Sequence, residues 1–431
     1  MHVLIQTVGS RGDVQPYLAL GLGLVAAGHR VTINTATRFE ADVRAHGFAF
    51  APLEDGLLEL LDANAGLIED MGRPLAAART ARRLLRDTKP IQRALFWDGW
   101  AAAEAAAPDL IVYHPKMSGA VHYAEALGVP VALGSLIAQF VPTRAFPSIG
   151  MPHGPAALNR ASYRLVLAAS KRVLAPFVSE WRDTLGLPPQ PRGTDVLHTS
   201  AGDPIPVLHA ISPSVVPVPP DWPETAPMTG YWFLDAPDWT PSRELASFLD
   251  GGAPPVYVGF GSMSGRQPER LAATVVEALG RAGVRGVLAR GWGGLSPSDL
   301  PDSIYAIDRA PHDALFPRMA AVVHHGGAGT TAAGLRAGRP TVVCPFFGDQ
   351  PFWGRRVRDL GVGPSPMPQR RLDAAELAKA VRAAVHDPQV RRRAEALGRA
   401  IRAEDGVATA VRQLEAIASS APRRGRAGEA A

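Results

Sequence analysis

Apolar and polar positions follow a repeating rhythm along this chain. A short apolar run gives way to a turn, and a longer stretch with apolar residues at helical spacing follows. Val3-Leu4-Ile5-Gln6-Thr7-Val8 is apolar and β-branched and predicts a strand, and residues 9–13 a loop. Residues 16–27 predict a helix that Gly28 stops, and Arg30-Val31-Thr32-Ile33-Asn34 a second strand. Strand, helix, strand at this spacing is a βαβ unit, which implies a parallel sheet. The rhythm returns with strands at 109–113 and 129–133 around a helix at 120–127. It restarts later with strands at 256–260, 320–324 and 341–344 and helices at 268–280, 330–337, 373–385 and 390–402.

Between the two series the texture changes. Prolines crowd into Pro217-Val218-Pro219-Pro220-Asp221-Trp222-Pro223, a density that regular structure does not tolerate. The expected organisation is α/β, two doubly wound, Rossmann-like domains facing across a cleft. An N-terminal domain spans 1–203, a Pro-rich connection 204–255 and a C-terminal domain 256–402. Residues 403–431 hold a helix end and an aperiodic, disordered tail.

Composition narrows the function. A chain of 431 residues, 46% of them hydrophobic, has material for two cores. Basic and acidic residues number 45 and 40, for a net charge of +5, a balance that argues against a nucleic-acid partner. The single cysteine, Cys344, excludes an internal disulfide and fits a reducing compartment. No apolar run is long enough to span a bilayer, and the polar turn after Val8 is unlike a signal peptide. The expectation is a cytoplasmic protein. Arg79, Arg82, Arg83 and Arg86 form a stripe at helical spacing; a solvated face is the simpler reading, and peripheral membrane contact stays open.

Four turns carry candidate chemistry. In His324-His325-Gly326-Gly327-Ala328-Gly329-Thr330-Thr331, glycines at a strand–helix junction let a ligand approach the backbone. The helix N-terminus offers unpaired N–H groups, and His325 and Thr330 add donors, a set that suits a diphosphate; the other reading is a plain tight turn with Thr330 as the helix N-cap. Gly259-Phe260-Gly261-Ser262 is a second such turn, equally well read as a simple one. Asp349 and Gln350 together suit vicinal sugar hydroxyls, although Asp349 also reads as a helix cap. Asp13, in Gly9-Ser10-Arg11-Gly12-Asp13, reads either as a general base at the cleft or, more simply from spacing alone, as a cap. His114 ends another N-terminal strand and is a candidate acceptor-side residue. There is no zinc-type His/Cys spacing and no Asp-x-Asp pair, so no metal is expected. The first loop departs from the G-x-G-x-x-G fingerprint of dinucleotide-dependent oxidoreductases.

Taken together, these strings resemble the GT-B nucleotide-sugar glycosyltransferases. The likeness is to the branch of sterol 3-β-glucosyltransferases and of the bacterial antibiotic glycosyltransferases that modify glycopeptides and macrolides. The matching stretches are Gly9 to Pro16, Thr229-Gly230-Tyr231-Trp232, Gly259 to Ser262, Pro311-His312-Asp313, His324 to Thr331 and Phe346 to Pro351, in the family's order over nearly the whole chain. The resemblance implies Asp13 as catalytic base. It implies a donor site of Gly12, Ser262, Ala310, His325, Gly327, Gly329, Thr330, Asp349 and Gln350, with Trp292 as an aromatic surface for the nucleotide base. Plant members carry a Trp where Arg309 stands and an acidic residue where Ala333 stands, so the base and ribose contacts differ here. Inverting, metal-independent transfer of glucose from UDP-glucose to a hydroxyl of a bulky apolar acceptor follows, with no cofactor. The alternatives are a TDP-deoxysugar transferase of antibiotic biosynthesis and a catalytically silent, nucleotide-sugar-binding helper.

Overall fold

The computed structural model describes residues 1–56, 74–190, 195–236, 238–261, 268–289 and 300–420. The first series builds a sheet from β1 (His2–Gln6), β2 (Arg30–Ala36), β3 (Ala49–Leu53), β4 (Leu110–Tyr113), β5 (Val131–Ser135) and β6 (Val207–His209) in the order β3-β2-β1-β4-β5-β6. The second is built from β7 (Val256–Gly259), β8 (Gly286–Ala289), β9 (Ile304–Ile307), β10 (Ala321–His324) and β11 (Thr341–Val343) in the order β11-β10-β7-β8-β9. All pairings within both sheets are parallel, as in Ile5 opposite Ile33 and Val112.

Each sheet is covered on both faces, and side-chain alternation sorts its strands into two cores. Leu4, Ile111 and Leu133 join one cluster with Trp181 from the helix Ala156–Thr184. Val3, Ile5 and Val112 point the other way, into Leu18, Leu20 and Leu24 of the helix Arg11–Ala26. In the second sheet Val256, Val258 and Val323 take one side, and Tyr257, Val287 and Val322 the other. Strands sandwiched this way need apolar residues at every position, which is why their sequences run apolar without alternation.

Both sheets reverse strand order at the same place, between the first strand and the fourth: β1 beside β4, and β7 beside β10. Ligands of open α/β sheets bind outside the carboxyl ends of strands at such a switch point. The turns carrying Asp13, His114, Gly261 and His325 follow these four strands, and the one carrying Asp349 follows β11 beside them. A shared cluster locks the two units together. Ala138, Phe146, Ile211 and Tyr231 pack with Leu335, Phe352, Trp353 and Ile401.

Two segments differ from expectation. The Pro-rich connection is not bare: β6 pairs with β5 inside it, and the helix Arg243–Asp250 follows. An edge strand of three residues fits between prolines because only one of its sides must donate to a ladder. After residue 402 the chain forms its own helix, Gly406–Ser420, rather than only a helix end. That helix crosses back to the first unit and buries Ala410, Val411 and Leu414 against the helix Arg11–Ala26. Residues 421–431 and the Arg79, Arg82, Arg83 and Arg86 side chains lie outside the described residues.

Candidate active site

The first wall of the site is the turn after β1. Gly9 adopts φ +137°, and a Cβ there would meet Asp13 Oδ2 at 2.3 Å and Lys116 Nζ at 2.7 Å. Only glycine leaves room for the carboxylate. Ser10 and Asp13 form a capping box at the helix start: Asp13 Oδ2 accepts from the Ser10 N–H at 2.7 Å and the Ser10 hydroxyl at 3.0 Å. Thus Asp13 is a cap, but only with one oxygen. Its Oδ1 is directed to the turn after β4, where Lys116 Nζ lies at 3.0 Å and His114 Nε2 at 3.3 Å. Burial pulls the Asp13 carboxyl upward, but the Lys116 ammonium and His114 together pull it further down, well below the usual carboxylate range.

His114 is buried, which lowers its pKa against the opposing pull of Asp13, so the ring is neutral near pH 7. Its Nδ1 accepts from the Lys116 N–H at 3.2 Å. That assigns the hydrogen to Nε2, aimed at Asp13. Gly12 stands exposed on the same first turn.

The second wall is built on β7 and β10. His324 closes β10 with no side-chain exposure, its Nδ1 accepting from the Gly326 N–H at 2.9 Å. Gly326 has φ +93°, and any Cβ there would strike Val343 at 2.6 Å. Gly327 caps the helix Ala328–Arg336, and a Cβ on it would lie 2.6 Å from His325 Nε2. Gly329 has open space around its Cα, and Thr330 stands half-buried beside it. Of the doubled threonine, Thr331 is spent on the helix, its hydroxyl donating to the Gly327 carbonyl at 2.9 Å. Burial pushes His325 down to about 4, which the Gly259 carbonyl only partly offsets. The ring is therefore neutral, and its Nδ1 is buried.

Asp349 precedes the helix Gln350–Asp359 and accepts from the Trp353 indole N–H at 2.7 Å. Burial lifts its pKa to about 6 over the opposing indole bond, and the negative charge of Asp13 adds to the rise. Each unit thus feels the other's charges: Asp13 acts on Asp349, and Arg11 on His312, which burial holds at about 4. Gln350 is turned inward, its Oε1 accepting from the N–H groups of Phe346 at 2.6 Å and Phe347 at 3.2 Å. It pins the loop that presents Asp349, and its carbonyl oxygen is committed there. Ala310 is half-buried against the core just before His312, whose ring stacks on Phe316 at 4.3 Å. Ser262 and Trp292 lie outside the described residues.

The fold thus brings together Asp13 and His114 from separate turns, while His325 and Gly327 to Thr330 share the one turn after β10. Sequence reasoning missed Lys116. The readable signal was its place in His114-Pro115-Lys116, directly after a central strand.

Comparison with known proteins gives the family. The description "Glycosyltransferase family 28 N-terminal domain" matches residues 3–146. A sterol 3-beta-glucosyltransferase of Arabidopsis thaliana is 36% identical over 95% of this chain and 67% of its own length. This chain belongs to that glycosyltransferase family. The chain also matches "Erythromycin biosynthesis protein CIII-like, C-terminal domain" over residues 293–417, the stretch that carries His325 and Asp349. A sterol 3-beta-glucosyltransferase of Emericella nidulans is 40% identical over 96% of the chain; the chain spans 30% of that relative's length. Among solved structures, the glycotransferase of kitacinnamycin superposes with a TM-score of 0.70 at 23% identity, covering 96% of this chain and 98% of the other. The calicheamicin glycosyltransferase CalG4 gives 0.66 at 22%, covering 97% and 98%. The fold is GT-B.

Proposed function

We propose that this glycosyltransferase moves a sugar, glucose from UDP-glucose, onto a hydroxyl of a bulky apolar acceptor such as a sterol, lipid or polyketide. The observation that carries the reading is the pairing of the two switch points. An ionised carboxylate stands at one, and a glycine-capped helix N-terminus with a neutral imidazole at the other.

On this reading Asp13 takes the acceptor proton, and the freed oxygen attacks the anomeric carbon opposite the diphosphate, inverting it. The N–H groups at Gly327, Gly329 and Thr330 and an N–H of His325 meet the charge that develops on the leaving diphosphate, without a metal or cofactor. Asp349 accepts from sugar hydroxyls, and the Gln350 amide group donates. Gly12 borders the donor, His114 holds Asp13 towards the acceptor, and Ala310, Ser262 and Trp292 belong to the nucleotide side. The relatives named sterol 3-beta-glucosyltransferase support a glucosyl donor and an apolar acceptor. A TDP-deoxysugar donor is the second reading, favoured by the glycosyltransferase VinC, solved with DTDP, which has a TM-score of 0.65 to this chain. A cytoplasmic setting is part of the proposal. Burial pushes the Cys344 thiol up to about 12, so it behaves as an inert reduced hydrophobe. Among the described residues no helix is long and apolar enough to cross a membrane; peripheral contact with a bilayer that holds the acceptor is compatible with this.

A panel of sterols, macrolides and flavonoids, offered with UDP-glucose or TDP-sugars and read by product mass, tests the reading. A glucosylated sterol is the expected product, at a rate that survives EDTA; no sugar adduct on any acceptor, or activity lost to EDTA and restored by Mg²⁺, counts against it. For the donor side, His325→Ala removes a donor aimed at the diphosphate and is expected to weaken UDP binding by about 1–3 kcal/mol. Calorimetry showing wild-type UDP affinity would dismiss that role.

A further inference from the structure

The contacts of Asp13 are already full. Oδ2 holds the Ser10 N–H and hydroxyl, and Oδ1 holds Lys116 Nζ at 3.0 Å and His114 Nε2 at 3.3 Å. An ionised carboxylate has about four lone-pair sites. A substrate hydroxyl that is to give Asp13 its proton must therefore displace one of these partners.

Three of them are fixed. The two Ser10 groups belong to the helix cap. The His114 side chain is 7% exposed, meets Tyr17 edge-on at 5.8 Å and is tied through Nδ1. Lys116 is different: its side chain is 42% exposed and it reaches Asp13 on a flexible four-carbon stem. We infer that Lys116 is a displaceable counter-ion, which blocks Asp13 from activating water while the acceptor site is empty and yields its place to the acceptor hydroxyl. The inference rests on the reading of Asp13 as general base.

The groups around Asp13 leave this task to Lys116. From the helix Arg11–Ala26 comes Tyr17, whose buried phenol is pushed well above its usual pKa and donates to the Gly134 carbonyl. From the turn after β4 comes the neutral His114. From the opposite wall comes Asp349, of like sign, whose own pKa the Lys116 charge helps to lower. Arg11 acts on His312 instead. The reaction so restrained is hydrolysis of the donor. A water oxygen bonds to the anomeric carbon, the carbon–oxygen bond to the diphosphate breaks with its electron pair staying on the diphosphate, and the water proton passes to Asp13. A cation seated on Oδ1 holds the proton-accepting position closed and keeps the carboxylate weakly basic.

The test uses the full chain and whichever of UDP-glucose or TDP-glucose supports transfer. Lys116→Met, which keeps length and removes charge, is expected to raise acceptor-independent release of nucleoside diphosphate severalfold. It should also move the acidic limb of kcat/KM for the acceptor, taken at saturating donor so that the Asp349 titration does not set it, up by about one to three pH units, because Asp13 loses the cation that held its carboxyl down. Lys116→Arg should restore both. Hydrolysis no faster than wild type together with an unmoved limb overturns the inference, as does a weaker KM for acceptor with no change in either. Lys116→Gln and a melting curve guard against a merely unfolded variant. Asp13→Asn separates the two levels: wild-type transfer by that variant fails the general-base reading itself, whereas loss of transfer with no Lys116 effect fails only the counter-ion.

Discussion

Asp13→Ala is expected to lower transfer by about 10²- to 10⁴-fold while leaving nucleotide affinity close to wild type. The split follows from the geometry. Asp13 belongs to the wall built on β1 and β4, with Lys116, His114 and Ser10 as its contacts, whereas the glycine-rich helix start belongs to the opposite wall. Removing the carboxylate also removes half of a capping box, which costs about 0.5–2 kcal/mol of helix stability. Asp13→Asn is the cleaner variant, because an amide oxygen still accepts from Ser10 but takes up no proton. Single-turnover rates for both variants, with UDP affinity by calorimetry, check the expectation. Near-wild-type turnover from Asp13→Asn would reduce the residue to its capping role.

Asp349 carries the second large effect, and it is a pH effect. Burial lifts this carboxyl to about 6, so it gains its negative charge only as the pH rises through that value. If the ionised form accepts from sugar hydroxyls, donor affinity is low below about pH 6 and climbs to a plateau above it, by up to tenfold per pH unit on the limb. Asp349→Asn should flatten the limb and lose about 1–3 kcal/mol of donor binding, because one partner of a buried polar contact is changed. The same variant should blunt any preference for a fully hydroxylated hexose over a deoxysugar. The measurement is donor Kd across about pH 5 to 8, in wild type and variant, with UDP-glucose and a TDP-deoxysugar. A flat wild-type profile, or an unchanged donor preference in the variant, would take the sugar contact away from Asp349.

What the sequence made legible depended on burial. The strands β1, β4, β5, β7 and β10, and the edge strand β11, are flanked on both faces and read as apolar runs. β3 contains Pro52, and β6 is three residues long behind Pro204 and Pro206, so neither has a run to read. The helix Ala156–Thr184 carries Pro176 and leaves Leu158 and Leu165 exposed, which blurs its apolar stripe. At the site, glycines announced the turns, because close backbone approach needs them locally. Lys116 had no such pattern. It meets Asp13 across 103 residues of sequence, and only the placing of β4 against β1 makes the contact. The capping and general-base readings of Asp13 looked like rivals in one dimension; in three they use different oxygens of one carboxylate.

The returning helix Gly406–Ser420 changes what counts as a separable piece of this protein. Because the last described helix completes the core around Val14, Leu18 and Leu24, the donor-side unit is topologically an insertion within the acceptor-side one. Its way in and its way out touch. A Cβ on Gly406 would meet the Tyr231 carbonyl at 2.4 Å and the Gly230 backbone at 2.5 Å. The two crossings are thus pressed backbone to backbone, beside the cluster in which Tyr231 packs with Leu335, Trp353 and Ile401 across the two units. A cut at residue 402 would bare the apolar face of the helix Arg11–Ala26, so the acceptor-side core is closed only by chain that has already passed through the donor-side unit.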